Sequence, residues 1–106
     1  MMYREYLILF HLLDYCYNKF DPNDDLPPLL GEMCPYLFKG GMPMDREVFN
    51  DWHKMCSDIK SNQDLLERIN MLLVSYEKKY HFDFEDTKRA LQCLTDEEIN
   101  KVIQKI

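Results

Sequence analysis

The stretch from residue 3 to residue 17 constrains the fold more than any other part of the chain. Nearly all of its residues are apolar or aromatic. Arg4, His11, Asp14 and Asn18 form one narrow polar stripe at helical spacing. A helix with so narrow a polar stripe buries most of its circumference. The pattern therefore predicts a helix over residues 3–19 that is either the central helix of the domain or part of a dimer contact.

The next two predicted helices begin at acidic residues. Asp24 or Asp25 is expected to cap a short second helix, which starts at residue 25 or 26 and ends near residue 34. Two prolines lie in its first turn, where their missing N–H groups would have no helical partner anyway. Asp45 is expected to cap a third helix, and Trp52 lies on the apolar face of that helix. Trp52 is interpreted either as a core residue or as part of an interface.

Three more helices follow in the second half of the chain. The fourth begins at Ser61 or Asn62, and the fifth runs from about residue 84 to about residue 94. Thr95 and Glu98 have the spacing of a capping box, which begins a sixth helix that ends near residue 104. No segment shows the alternation of a strand. The sequence predicts one all-α domain over residues 1–106, a small irregular bundle of five or six helices.

The cysteine pattern and the hydropathy bear on the cellular compartment. No two of the four cysteines form a CxxC pair. Cys16, Cys56 and Cys93 fall on apolar positions of predicted helices, where a free thiol packs as a small hydrophobic group. The sequence shows neither a signal peptide nor an apolar stretch long enough to span a membrane. We therefore expect a reduced cytoplasmic protein without membrane contact.

The segment "FDPNDDLPPLLGEMCPYLF", residues 20–38, has acids at the spacing of a calcium-binding loop. Asp21, Asn23, Asp25 and Glu32 occupy the first, third, fifth and twelfth positions of such a loop. Leu26 stands where the loop needs glycine for its sharp turn, and two prolines follow it. The sequence thus disfavours calcium and leaves two interpretations, a helix cap with exposed acids or an acidic recognition surface.

Signals for catalysis or for a metal centre are weak. His53 and Cys56 are three residues apart on one predicted helix, but no second spaced pair would complete a zinc site. The chain has no nucleophile elbow, no glycine-rich phosphate loop and no HExxH motif. We predict that the protein is not an enzyme and has no cofactor, and a small thiol or metal enzyme remains the third alternative.

The negative charge is concentrated in one part of the chain. Residues 21–58 contain eight acids and three bases, a net charge of −5, whereas the rest has eleven acids and ten bases, a net charge of −1. This balance argues against nucleic acid as the partner, because phosphate requires the opposite sign. It suits a basic protein partner. The alternative interpretation is a solvated acidic face.

The elements "DDLPPLLGEMCPYLF", "GG" and "DREVFNDW", with the later "YEKKYHFDFEDTKRAL", resemble a set of small helical bacterial proteins. Several of these resemble immunity proteins that are encoded beside secreted or contact-delivered toxins. The resemblance covers roughly residues 20–90, and it depends on few positions, which are Asp24, Asp25, Leu26, Leu30, Gly31, Met33, Pro35, Asp51 and Trp52. It implies a binding function and no catalytic residues.

The acidic segment and the family resemblance together predict a non-catalytic, protein-binding protein of the immunity type. Its partner is expected to be a basic toxin domain that it neutralises. The partner surface is expected within residues 21–58, with six contributing residues: Asp24, Asp25, Glu32, Asp45, Asp51 and Trp52. The alternative is a homo-oligomeric structural module, in which the apolar first helix forms a dimer and the acidic segment is only solvated.

Overall fold

The computed structural model describes residues 2–36 and 46–106, with side chains from residue 4 onward. These ranges contain helices and no strand. The helices are α1 (Met2–Phe20), α2 (Leu26–Met33), α3 (Arg46–Met55), α4 (Asn62–Tyr80), α5 (Glu85–Gln92) and α6 (Asp96–Gln104). The prediction of an all-α bundle is confirmed, and the six helix positions agree with the predicted segments to within a few residues.

Helix α1 is the central helix of the domain. It packs against α2, α3, α5 and α6, while α4 packs against α3 and α5. Four of its fully buried side chains recur at helical spacing: Leu9, Leu12, Leu13 and Cys16. On the polar stripe, Arg4 and Asn18 are exposed, and the two residues between them are half-buried. Of the two interpretations of this helix, its position in the structure favours the central one.

Two predicted helix starts are confirmed in atomic detail. The Ser61 hydroxyl accepts a hydrogen bond of 3.1 Å from the Asp64 N–H and caps α4. Thr95 and Glu98 form the complete capping box of α6, each side chain accepting from the other's backbone N–H at 3.1 Å. Both caps join residues three positions apart, so the local sequence is sufficient to predict them.

Side chains from other helices satisfy the carbonyl groups at two helix C-termini, which lack helical partners. The buried Tyr6 hydroxyl of α1 donates to the Met33 carbonyl of α2 at 2.6 Å. The Arg68 guanidinium of α4 donates to the carbonyls of Met55 and Ser57 at 2.9 Å each. Its positive charge also suits the negative end of α3. These contacts hold α2 against α1 and α3 against α4.

Glu98 has a second role beside its part in the capping box. Its carboxylate forms an ion pair with Lys19 of α1 and accepts a hydrogen bond of 2.5 Å from the Tyr15 hydroxyl. These contacts lower the pKa of the Glu98 carboxyl to about 2. Lys19 is the main cause, and hydrogen bonds from the Tyr15 hydroxyl and the Thr95 N–H lower the pKa further. The carboxylate therefore connects the N-terminus of α6 to the central helix.

The structure corrects the expectation for Cys93 and decides between the two interpretations of Trp52. Cys93 is exposed rather than packed on an apolar face, because it ends α5 as its C-cap residue. Trp52 is a core residue, only 1% exposed, and its indole N–H donates to the Glu5 carbonyl at 3.0 Å. A buried indole with a satisfied N–H is a structural arrangement, so Trp52 does not contribute exposed contact area.

Candidate protein-binding surface

The turn between α1 and α2 is joined to the segment before α5 by backbone and side-chain hydrogen bonds. The Asp25 N–H donates to the Asp83 carbonyl at 2.9 Å. In return, the Asp83 N–H donates to the Asp25 carboxylate at 2.7 Å. The Asn23 N–H donates to the carboxylate of Asp86 at 3.1 Å. Acidic side chains that looked like surface charges in the sequence therefore hold two distant segments together.

Asp24 is the most connected of the predicted site residues. One carboxylate oxygen accepts from the Thr87 N–H at 2.8 Å, and the other accepts from the Thr87 hydroxyl and the Leu26 N–H at 3.0 Å each. The N-cap residue of α5, Phe84, has no side-chain cap of its own. Asp24 precedes Asp25, the N-cap residue of α2, which has no side-chain cap bond of its own. The Asp24 carboxylate thus accepts from the first N–H of α2 and, from 63 residues away, from the third N–H of α5. A carboxylate at a helix N-terminus is also favoured by the helix dipole.

The remaining predicted site residues lie in different environments. Asp51 is half-buried and accepts a hydrogen bond of 2.9 Å from the Tyr76 hydroxyl, which connects α3 to α4. Glu32 is exposed on α2 and makes no hydrogen bond or ion pair with any other residue in the described ranges. Asp45 lies outside the described residues. Of the five that the structure describes, only Glu32 is both exposed and without a hydrogen bond from its side chain to another described residue.

A shallow groove of about 290 Å³ runs between α1 and α2. We call it the α1–α2 groove, and its lining residues are Phe10, Asp14, Tyr17, Pro27, Leu30, Gly31 and Cys34. Phe10 and Leu30 are buried beneath it, whereas Tyr17 is 37% exposed. Apolar side chains thus form most of its surface, with one carboxylate at its edge.

Tyr36 extends this apolar surface beyond the groove. It is 63% exposed, the largest exposed fraction of any large hydrophobic side chain in the described ranges. Its ring packs edge-on against Phe10, with centroids 6.1 Å apart. Its hydroxyl is 2.7 Å from the Nε2 atom of His11, so the pair is hydrogen-bonded. An exposed tyrosine fixed in this way by its neighbours presents a rigid, amphipathic contact area.

The charge around the α1–α2 groove has one sign. The residues that line the groove include no lysine or arginine, and Asp14 is the acid among them. A second acid, Glu32, is exposed on α2 next to Gly31 in the sequence. An apolar and aromatic surface with acids at its border is complementary to a surface of apolar and basic residues.

A second cleft, of about 360 Å³, lies between α1, α3 and the start of α4 and contains Cys56. The Cys56 thiol donates to the Glu5 carboxylate at 3.0 Å. Burial, together with this carboxylate, raises the pKa of Cys56 to about 11. A thiol with a raised pKa is a poor nucleophile at neutral pH. Within the ranges that the structure describes, no group of three or more His, Cys, Asp and Glu residues is placed to hold a metal ion.

Sequence reasoning missed the α1 wall of the groove. The sequence places Asp14 and Tyr17 on a mostly buried helix, and it suggests for Gly31 a role in closing the second helix, which in the structure continues to Met33. The signal that was available is the absence of lysine and arginine between Arg4 and Lys19. That signal becomes informative only when α2, with the same charge pattern, lies beside α1.

Comparisons of the chain with protein-family models, with curated proteins and with solved structures give no match. In the described ranges, none of the helices combines the length and the hydropathy that crossing a bilayer requires. The proposed function is therefore based on the residues of this chain alone.

Proposed function

We propose that the protein is a non-catalytic binding protein of the immunity type, which neutralises a basic toxin domain in the bacterial cytoplasm. The observation that carries the proposal is the α1–α2 groove, an apolar and aromatic surface that is lined by Asp14 and by no lysine or arginine, with the exposed Glu32 next to Gly31 in the sequence. The proposal keeps the partner class expected from the sequence. It moves the centre of the contact surface to the two helices that line the groove.

Electrostatics supports a role that requires fast capture. A patch of one sign attracts a partner of the opposite sign and raises the association rate, and salt screens the effect. Asp14 and Glu32 border the groove without an ion-pair partner among the described residues. Their field is therefore available to an approaching protein. Asp24 and Asp25 add to the same field while they hold the fold together.

The same charges argue against self-association through this groove. In a two-fold symmetric dimer, the same surface of both copies takes part, so acids at the border of one groove would face acids at the border of the other. Like charges across an interface are strongly unfavourable. Sedimentation equilibrium over a range of protein concentrations tests the homo-oligomer alternative, and we expect a monomer when no partner is present.

The proposal is tested by co-expressing this chain with each polypeptide that is encoded beside its gene. We expect one neighbour to stop bacterial growth when expressed alone and to be harmless together with this chain. If every neighbour is harmless alone, or if co-expression restores no growth, the immunity assignment is wrong.

The charge argument is tested with the purified pair. Glu32→Lys should slow association about tenfold at low salt, and the difference should shrink as salt is added. Glu67→Lys is the matched control, because it makes the same charge change at an exposed position of α4. Equal association rates for the two variants would show that the groove does not steer the partner.

A further inference from the structure

Gly31 has no explanation inside the molecule. It lies in the interior of α2, where glycine is about 1 kcal/mol less favourable than alanine. Its backbone does not adopt the left-handed conformation that would require glycine, and a Cβ atom added to it would meet nothing within 4 Å beyond its chain neighbours and the adjoining backbone of its own helix. Neither the backbone conformation nor internal packing therefore accounts for glycine at this position.

The missing side chain affects the surface instead. Gly31 is exposed and lines the α1–α2 groove, near the buried rings and methyl groups of Phe10 and Leu30. Any larger residue would extend from α2 into the space above this apolar floor. Glycine at such a point permits the close approach of another molecule.

We infer that the α1–α2 groove receives an apolar side chain from a helix of the basic partner, and that this side chain docks over Gly31. A lysine or arginine one turn away on the same partner helix would lie beside Asp14 or Glu32. The inference rests on the proposed function, which supplies a basic partner. The arrangement is the helix-in-groove mode of recognition, in which apolar anchors repeat at helical spacing and charges at the border set the orientation.

A designed peptide can test the groove before a partner is identified. The probe is a short end-capped helical peptide of leucine, lysine and alanine, with leucines on one face, and its control carries glutamate in place of lysine. In amide NMR spectra of the full chain, the lysine peptide should shift the signals of residues 10–17 and 29–34. The glutamate peptide should leave them unchanged. Shifts that are scattered over the molecule, or equal for both peptides, would overturn the inference.

Two variants separate docking at Gly31 from general charge effects. Gly31→Arg fills the groove and adds a positive charge, whereas Met71→Arg adds the same residue at an exposed position of α4. We expect Gly31→Arg to weaken binding of the lysine peptide about tenfold or more, and Met71→Arg to change it much less. Equal weakening by both variants would mean that net charge, and not the groove, controls binding.

Separate experiments test the docking at the α1–α2 groove and the proposed function, so either can fail without the other. Growth rescue by the wild-type chain tests only the proposed function. If wild type rescues growth and Gly31→Arg binds the toxin with unchanged affinity, the toxin docks elsewhere and only the groove inference is wrong. Gly31→Ala adds a single methyl group, and it should keep the circular dichroism spectrum and weaken toxin binding less than Gly31→Arg does.

Discussion

Replacing Asp24 with alanine tests whether one carboxylate holds the two halves of the chain together. The change removes acceptors from the Leu26 N–H, the Thr87 N–H and the Thr87 hydroxyl. Thr87 is fully buried, so water cannot easily replace the lost partner. Asp24→Ala should therefore lower the free energy of unfolding by much more than a surface substitution does.

The size of the effect follows from the three hydrogen bonds. A hydrogen bond to a charged group contributes about 1.5–3 kcal/mol, and loss of an N-cap costs about 0.5–2 kcal/mol. The three bonds share one carboxylate and are not additive, so we expect a total loss of about 3 kcal/mol. With a urea dependence of about 1–3 kcal/mol per molar for a small domain, the urea midpoint should fall by about 1 M or more.

Trp52 supplies the assay, because it is the only tryptophan of the chain and is buried. Its fluorescence should report the urea unfolding of every variant. Glu32→Ala is the control, an exposed acid whose removal should change stability by no more than about 0.5 kcal/mol. If Asp24→Ala and Glu32→Ala have the same midpoint, Asp24 does not cap α5 in solution and the structural assignment of the acidic turn is refuted.

Three further predictions concern pH, thiol reactivity and helix propensity. The lowered pKa of Glu98 means that its contribution to stability is complete above the ordinary glutamate pKa and is lost as the pH falls toward about 2. The difference in urea midpoint between wild type and Glu98→Gln should therefore narrow between about pH 5 and pH 2, and a constant difference would contradict the ion pair. With iodoacetamide at neutral pH, mass spectrometry should find Cys93 alkylated first, Cys56 second and Cys16 last. Cys93 is exposed, whereas burial raises the pKa of the Cys56 thiol to about 11 and that of the Cys16 thiol to about 12. Gly31→Ala should raise the free energy of unfolding by about 0.5–1 kcal/mol, and a loss of stability would show that the added methyl group meets a neighbour.

The fold was predictable because its determinants are local. The apolar stripes, the proline-started α2 and the caps at Ser61 and Thr95 depend on residues within a few positions of one another. The role of Asp24 was only half predictable. Its bond to Leu26 is a local cap, whereas its bonds to Thr87 join residues 63 positions apart and leave no periodic or spacing signal.

Trp52 shows a different limit of the sequence. A tryptophan on the apolar face of a helix within an acidic segment fits both a core residue and an interface residue. The structure decides for the core through burial and the bond to the Glu5 carbonyl. The α1–α2 groove was not predictable either, because its walls come from two helices whose adjacency appears only after folding.

Asp24 and Asp25 make hydrogen bonds that hold the fold together, whereas the Glu32 side chain makes none in the described part of the chain. This difference decides which variants can test binding. Charge reversal at Asp24 or Asp25 would remove hydrogen bonds that hold the α1–α2 turn against α5, so slower association would be accompanied by a less stable fold. Reversal at Glu32 changes the same electrostatic field without removing any bond in the described part of the chain. If the groove steers a basic partner, Glu32→Lys should slow association while the free energy of unfolding stays within about 0.5 kcal/mol of wild type. A variant that loses both stability and association rate does not show whether the changed charge or the weakened fold slows association, whereas Glu32→Lys does.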